Sequence, residues 1–110
     1  MDAREECIRP VQARYPGVGT AQVDLNARDA LRSLGTFEVV HCYGLLYHLE
    51  DPATGIANIE AACNDLLLLE TCVSARHDEG VYPAGELAED FTQSVRGCGC
   101  RPTEPPRVSA

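Results

Sequence analysis

The sequence predicts an α/β fold on a parallel sheet of about three strands with flanking helices. Three observations carry this. Phe37-Glu38-Val39-Val40-His41-Cys42-Tyr43 has no charged side chain after Glu38 and pairs two β-branched valines, the pattern of a strand buried on both faces of a parallel sheet. Leu66 to Leu69 is a four-leucine run bounded by Asn64-Asp65 and Glu70-Thr71, too short for a separate helix and read as another buried strand. Between them Asp51-Pro52 supplies a side-chain acceptor for the first free amides of a helix, followed by the residue that loses nothing there by lacking an N–H. Strand, helix, strand calls for a crossover and parallel pairing.

The elements follow in order. Asp2 to Glu5 opens a helix with a capping-box-like pattern, Asp2 at the cap and Glu5 three residues on. Pro10 predicts a kink or a break, since an interior proline costs about 3 kcal/mol, and Tyr15-Pro16-Gly17 closes the segment. Thr20 to Leu25 is a short strand candidate. Asn26 caps a brief helix through Leu34, stopped by Gly35. The helix from Pro52 to about Asn64 sets Ile56, Ile59 and Cys63 on one face, directed at the sheet, with Gly55 weakening it by roughly 1 kcal/mol. Beyond Ser74 the periodicity fades, and glycines and prolines punctuate the rest. The chain therefore divides into an α/β core over 1–74 and a mostly irregular, loop-rich third over 75–110, within one partial domain.

Composition excludes several functions. A formal charge of -8 argues against a grip on nucleic acid or an anionic membrane, both of which need a positive surface. All nine basic residues are arginine, so Schiff-base catalysis and the lysine of a phosphate-binding P-loop have no residue to use. No stretch approaches the roughly 18 to 20 apolar residues of a membrane span, and the acidic start, Met1-Asp2-Ala3-Arg4-Glu5-Glu6, is unlike a secretory signal. A cytoplasmic location and reduced thiols are the expectation for the six cysteines, which fall in elements as well as loops.

Polar and small residues collect at the carboxyl ends of the predicted strands, where open α/β sheets bind ligands: Asp24, Cys42 to Gly44, and Glu70-Thr71. Asp2-Ala3-Arg4, Val23-Asp24-Leu25-Asn26, Phe37 to Leu49 and Leu67-Leu68-Leu69-Glu70-Thr71 together resemble successive strand ends of the class I S-adenosylmethionine-dependent methyltransferases. The resemblance runs from Asp2 to about Thr71, and more loosely to Pro102, and is most specific from Phe37 to Pro52. It implies a Rossmann-like fold, S-adenosyl-L-methionine as cofactor, and methyl transfer to an acceptor that the residues do not identify. It further implies that Asp2 binds the cofactor ribose, that Asp24 with Leu25 borders the adenine, and that Cys42, Tyr43 and Gly44 border the methionine portion and the substrate. Tyr47 and His48 come to the substrate side, as the residues that orient the acceptor and remove its proton.

The family's first strand and glycine-rich loop should precede Asp2, where this sequence has only Met1; Gly17-Val18-Gly19 follows a helix and does not replace them. The resemblance thus implies an incomplete sheet lacking its middle strand and an amino-terminally truncated fragment, inactive alone, with the carboxyl-terminal hairpin absent as well. In such a fragment the Thr20 strand either pairs with the Phe37 strand or detaches.

Bland readings compete at each position. His48 between Tyr47 and Leu49 is equally a packed loop histidine, and Tyr47 a packing aromatic. Asp24 also fits a turn former, Asp2 a helix cap, and Glu70 a solvated strand end. Cys98-Gly99-Cys100 with His77 offers zinc-type ligands, but the spacing is not the usual knuckle and a second pair is lacking, so no metal site is expected. The competing overall reading is a non-catalytic remnant or interaction domain that binds no cofactor and offers an exposed sheet edge to a partner.

Overall fold

A computed structural model describes residues 1–73, 81–85 and 98–102, the last two stretches as backbone. Its centre is a strand–helix–strand unit. Strand β1 (Phe37–Tyr43) and strand β2 (Cys63–Glu70) run parallel, with Val40 opposite Leu67, Cys42 opposite Leu69 and Tyr43 opposite Glu70. A helix, Pro52–Ala62, connects them. It starts as the sequence dictates: Asp51 Oδ1 accepts from the Thr54 amide at 3.0 Å and Oδ2 from the Thr54 hydroxyl at 2.7 Å, with Pro52 in the first turn. It ends two residues earlier than expected, passing directly into β2 at the extended Cys63.

The helix buries Gly55, Asn58, Ile59 and Ala62. Ile56, expected on that face, is 44% exposed. The reason is steric: a Cβ on Gly55 would collide with the Leu49 side chain, so the glycine lets the helix approach Leu49 closely and turns Ile56 outward. Leu25, Leu31, Cys42, Leu46, Leu49, Ile59 and Ala62 form the core, with Val23, Val40 and Leu45 against it.

The expectation that β1 and β2 are buried on both faces fails. Val40 and Cys42 face the core, whereas Val39 and Tyr43 are 55% and 57% exposed. Side chains opposite one another in a ladder share a face. Among the described residues Val39 and His41 therefore share an uncovered face with Leu66 and Leu68, and on the other face of β2 Leu67 and Leu69 are exposed as well.

The predicted Thr20–Leu25 strand reduces to a single parallel bridge between Asp2 and Gln22, in which the Val23 amide donates to the Asp2 carbonyl at 2.9 Å. It does not pair with β1, so among the described residues the parallel sheet has two strands rather than three.

The helix expected over Asn26–Leu34 is replaced by turns and a 3-10 turn at Arg32–Leu34, with Asp29 at φ 54° and Gly35, the expected stop, at φ 77°. Asn58 explains why. Its Nδ2 donates to the carbonyls of Leu25 at 3.0 Å and Ala27 at 2.8 Å, and its Oδ1 accepts from the Ala30 amide at 3.1 Å, so a long-range side chain satisfies backbone groups that a helix would otherwise satisfy.

With the remaining helix, the described elements are α1 (Glu5–Arg14), β1, α2 (Pro52–Ala62), β2, β3 (Val81–Gly85) and β4 (Cys98–Pro102). α1 is one continuous helix despite Pro10, and Arg4, not Asp2, stands at its N-cap, so the capping box does not form. β3 and β4 pair antiparallel, Val81 opposite Pro102, where the sequence suggested loop. A two-stranded ribbon tolerates the prolines because each strand keeps an edge that donates to nothing. Among the described residues no helix is long and apolar enough to cross a membrane.

Candidate functional site

The carboxyl ends of β1 and β2 meet at Gly44. Its amide donates to Glu70 Oε2 at 2.9 Å, tying the loop after β1 to the last residue of β2. Gly44 has φ 65°, the left-handed region that glycine enters without penalty, and the Tyr47 hydroxyl lies 3.6 Å from where its Cβ would be. A 3-10 turn, Leu46–His48, follows, with Leu46 buried and the Tyr47 and His48 rings 4.3 Å apart between centroids. Tyr43 stacks on His41 at 3.9 Å, on the face of β1 opposite Cys42.

The turn after the Thr20–Leu25 segment closes on the same loop. Asp24 Oδ1 accepts from both the backbone amide and the Nδ2 of Asn26, each at 2.9 Å. Asn26 Oδ1 accepts from the amides of Glu50, at 2.9 Å, and Asp51, at 3.0 Å. Asn26 thus does not cap a helix of its own; it joins Asp24 to the amino end of α2. Asp2 belongs to this side through its bridge to Gln22, and its Oδ1 accepts from the Arg4 amide at 2.9 Å and the Arg4 Nε at 3.3 Å.

The structure therefore joins Asp24 to the start of α2 and Gly44 to Glu70, with Tyr47 and His48 on the loop between. It does not gather every side chain. Leu25 and Cys42 are each 4% exposed and are spent in the core. Burial pushes the Cys42 thiol above its ordinary pKa, and Glu70 adds to the effect, so the sulfur is a thiol and no nucleophile at neutral pH.

Among the described residues no group of three metal-ligating side chains occurs, and His77 lies outside them. A cleft of about 700 Å³ lies between residues 28–36 and α2, lined by Arg28, Arg32, Thr54 and Ala57; it reaches Asp51 at the start of α2 but includes none of the predicted site residues.

Sequence reasoning missed Asn58, and it named Asn26 and Glu70 without their partners, reading one as a helix cap and the other as a strand end. Asn58 carried a signal, because a polar side chain on the same helical stripe as Gly55, Ile59 and Ala62 must find partners once buried. No family model, curated protein or solved structure matches the chain.

Proposed function

We propose that this chain is the S-adenosylmethionine-binding part of a class I methyltransferase with a Rossmann-like core. One observation carries the reading: at the carboxyl end of a parallel β–α–β unit, the Asp24–Asn26 turn is hydrogen-bonded to the start of the helix that follows the Tyr43–His48 loop. Ligands of open α/β sheets bind at that edge.

The residues present fit the cofactor. Its ribose hydroxyls and adenine amine are donors that want carboxylate acceptors, which Asp2 and Asp24 offer. Its sulfonium is cationic, and Asp24, Glu50, Asp51 and Glu70 stand at this edge, with Asp2 beyond them paired to Arg4. When bound, the cofactor supplies an activated methyl group.

In this reading Asp2 holds the ribose and Asp24 the adenine side. Leu25 serves through its backbone, because its side chain is buried. Gly44 and Tyr43 border the methionine portion, and Cys42, like Leu25, serves there through its backbone because its side chain is buried. Tyr47 orients the acceptor, and His48, whose imidazole ring nitrogen is able to accept a proton, acts as the base. Methyl transfer needs little else from the protein, since alignment supplies most of the acceleration.

Calorimetric titration of the chain with S-adenosylmethionine and S-adenosylhomocysteine tests this. Saturable binding that Asp24→Ala weakens is expected; no binding of either compound refutes the reading. A second reading, an interaction unit without cofactor, is favoured by the uncovered face of Val39, Leu66 and Leu68. Absence of cofactor binding together with concentration-dependent association in sedimentation would select it.

A further inference from the structure

We infer that Asn26 is the positioning residue of the site, fixing the Asp24 carboxylate and the amino end of α2 as one rigid edge; this rests on the methyltransferase reading above. The carboxamide is used at both of its ends. Nδ2, together with the Asn26 backbone amide, donates to one oxygen of Asp24, both at 2.9 Å. Oδ1 accepts from two consecutive backbone amides across the chain, Glu50 at 2.9 Å and Asp51 at 3.0 Å.

Only a group that donates and accepts at once fills this position. A carboxylate accepts but does not donate, and a hydroxyl is too short to span both partners. Two donors on a single Asp24 oxygen hold the carboxylate in one orientation. Two amides on a single Asn26 oxygen hold the Glu50–Asp51 peptide, and through the Asp51 cap the first turn of α2, at a fixed distance from Asp24. The groups that the reading assigns to the adenine side and to the acceptor loop are thereby kept in register without a strand between them.

Asn26→Asp separates the two functions. It preserves size and the oxygen that faces Glu50 and Asp51, but replaces the donor to Asp24 with a like charge. Asn26→Ala removes both. Amide hydrogen exchange at Glu50 and Asp51 reads the tether, and calorimetric titration with S-adenosylhomocysteine reads the positioning.

Exchange at both amides should accelerate in Asn26→Ala and stay protected in Asn26→Asp. Affinity in Asn26→Asp should fall by about tenfold or more, the loss of one charge-assisted hydrogen bond. Unchanged exchange in Asn26→Ala overturns the tether. Binding by the unaltered chain that Asn26→Asp leaves intact overturns the positioning role alone, whereas no binding by the unaltered chain overturns the methyltransferase reading and the positioning role together. Should Asn26→Ala fail to fold, Asn26→Asp still decides the positioning role through its titration.

Discussion

Replacing Asn58 tests the claim that one buried carboxamide organises residues 25–30. Asn58 is 5% exposed and makes three hydrogen bonds, to the Leu25 and Ala27 carbonyls and from the Ala30 amide. Asn58→Ala leaves three backbone groups unpartnered. At about 1 kcal/mol net for each bond the loss is about 3 kcal/mol, a large fraction of the roughly 5–15 kcal/mol that a domain has in total. Asn58→Asp keeps the oxygen facing Ala30 but sets a carboxylate oxygen against two carbonyls, so at neutral pH it should cost at least as much. Burial and those carbonyls favour the protonated form of the introduced acid, raising its folded-state pKa above the unfolded value of about 3.9. Stability in Asn58→Asp is then greatest below that unfolded value, where the protonated group donates again, and declines as pH rises through the folded value. Urea denaturation followed by circular dichroism across pH measures both variants. An Asn58→Ala midpoint equal to that of the unaltered chain, or an Asn58→Asp deficit that pH does not change, refutes the reasoning.

Asp51 is held below the usual carboxylate range by its bonds from the Thr54 amide and hydroxyl. Its contribution to α2 is complete above the unfolded value of about 3.9 and is lost as pH falls through the lowered folded value, so Asn at position 51 should flatten the acid limb of the thermal midpoint relative to the unaltered chain; parallel curves would contradict the cap. Cys42 is buried with a raised pKa and Cys72 is exposed, so iodoacetamide at neutral pH should label Cys72 well before Cys42 in peptide mapping, and equal rates would deny the burial. Leu66→Thr with Leu68→Thr on the uncovered face should change unfolding free energy by no more than about 1 kcal/mol while lowering binding of a hydrophobic dye. A severe loss of stability there would mean that the face is packed.

Local chemistry was legible where one residue type has one structural use. Asp51-Pro52 marked the start of α2 to the residue, Gly35 stopped the segment before β1, and the two apolar runs became the parallel strands. What the residues did not disclose depended on partners distant in sequence. Asn26 reads as a helix cap by position, yet its oxygen is taken by Glu50 and Asp51, twenty-four and twenty-five residues away. The burial of the strands was over-read because an apolar strand shows only that its side chains can be buried: β1 is covered on the Val40 and Cys42 face alone, and β2 is exposed along both faces. Ile56 was assigned to the wrong stripe because periodicity counts apolar side chains, while the packing was decided by the absence of one at Gly55.

Two carboxamides do between these segments what a strand ladder does within a sheet. The segment ending at Asp24 touches the β1–α2–β2 unit through Leu25 in the core, but its backbone is fixed by Asn58 from beneath and by Asn26 from the edge. Apolar contact is non-directional and tolerates sliding, whereas a carboxamide bonded at both ends specifies a register. The two carry separate burdens: Asn58, buried, sustains the turn itself, and Asn26, at the carboxyl end, sets where Asp24 stands relative to the Gly44–Glu50 loop. Loss of Asn58 should therefore appear first as lost stability, and loss of the Asn26 donor as a misplaced acid in a chain that still folds.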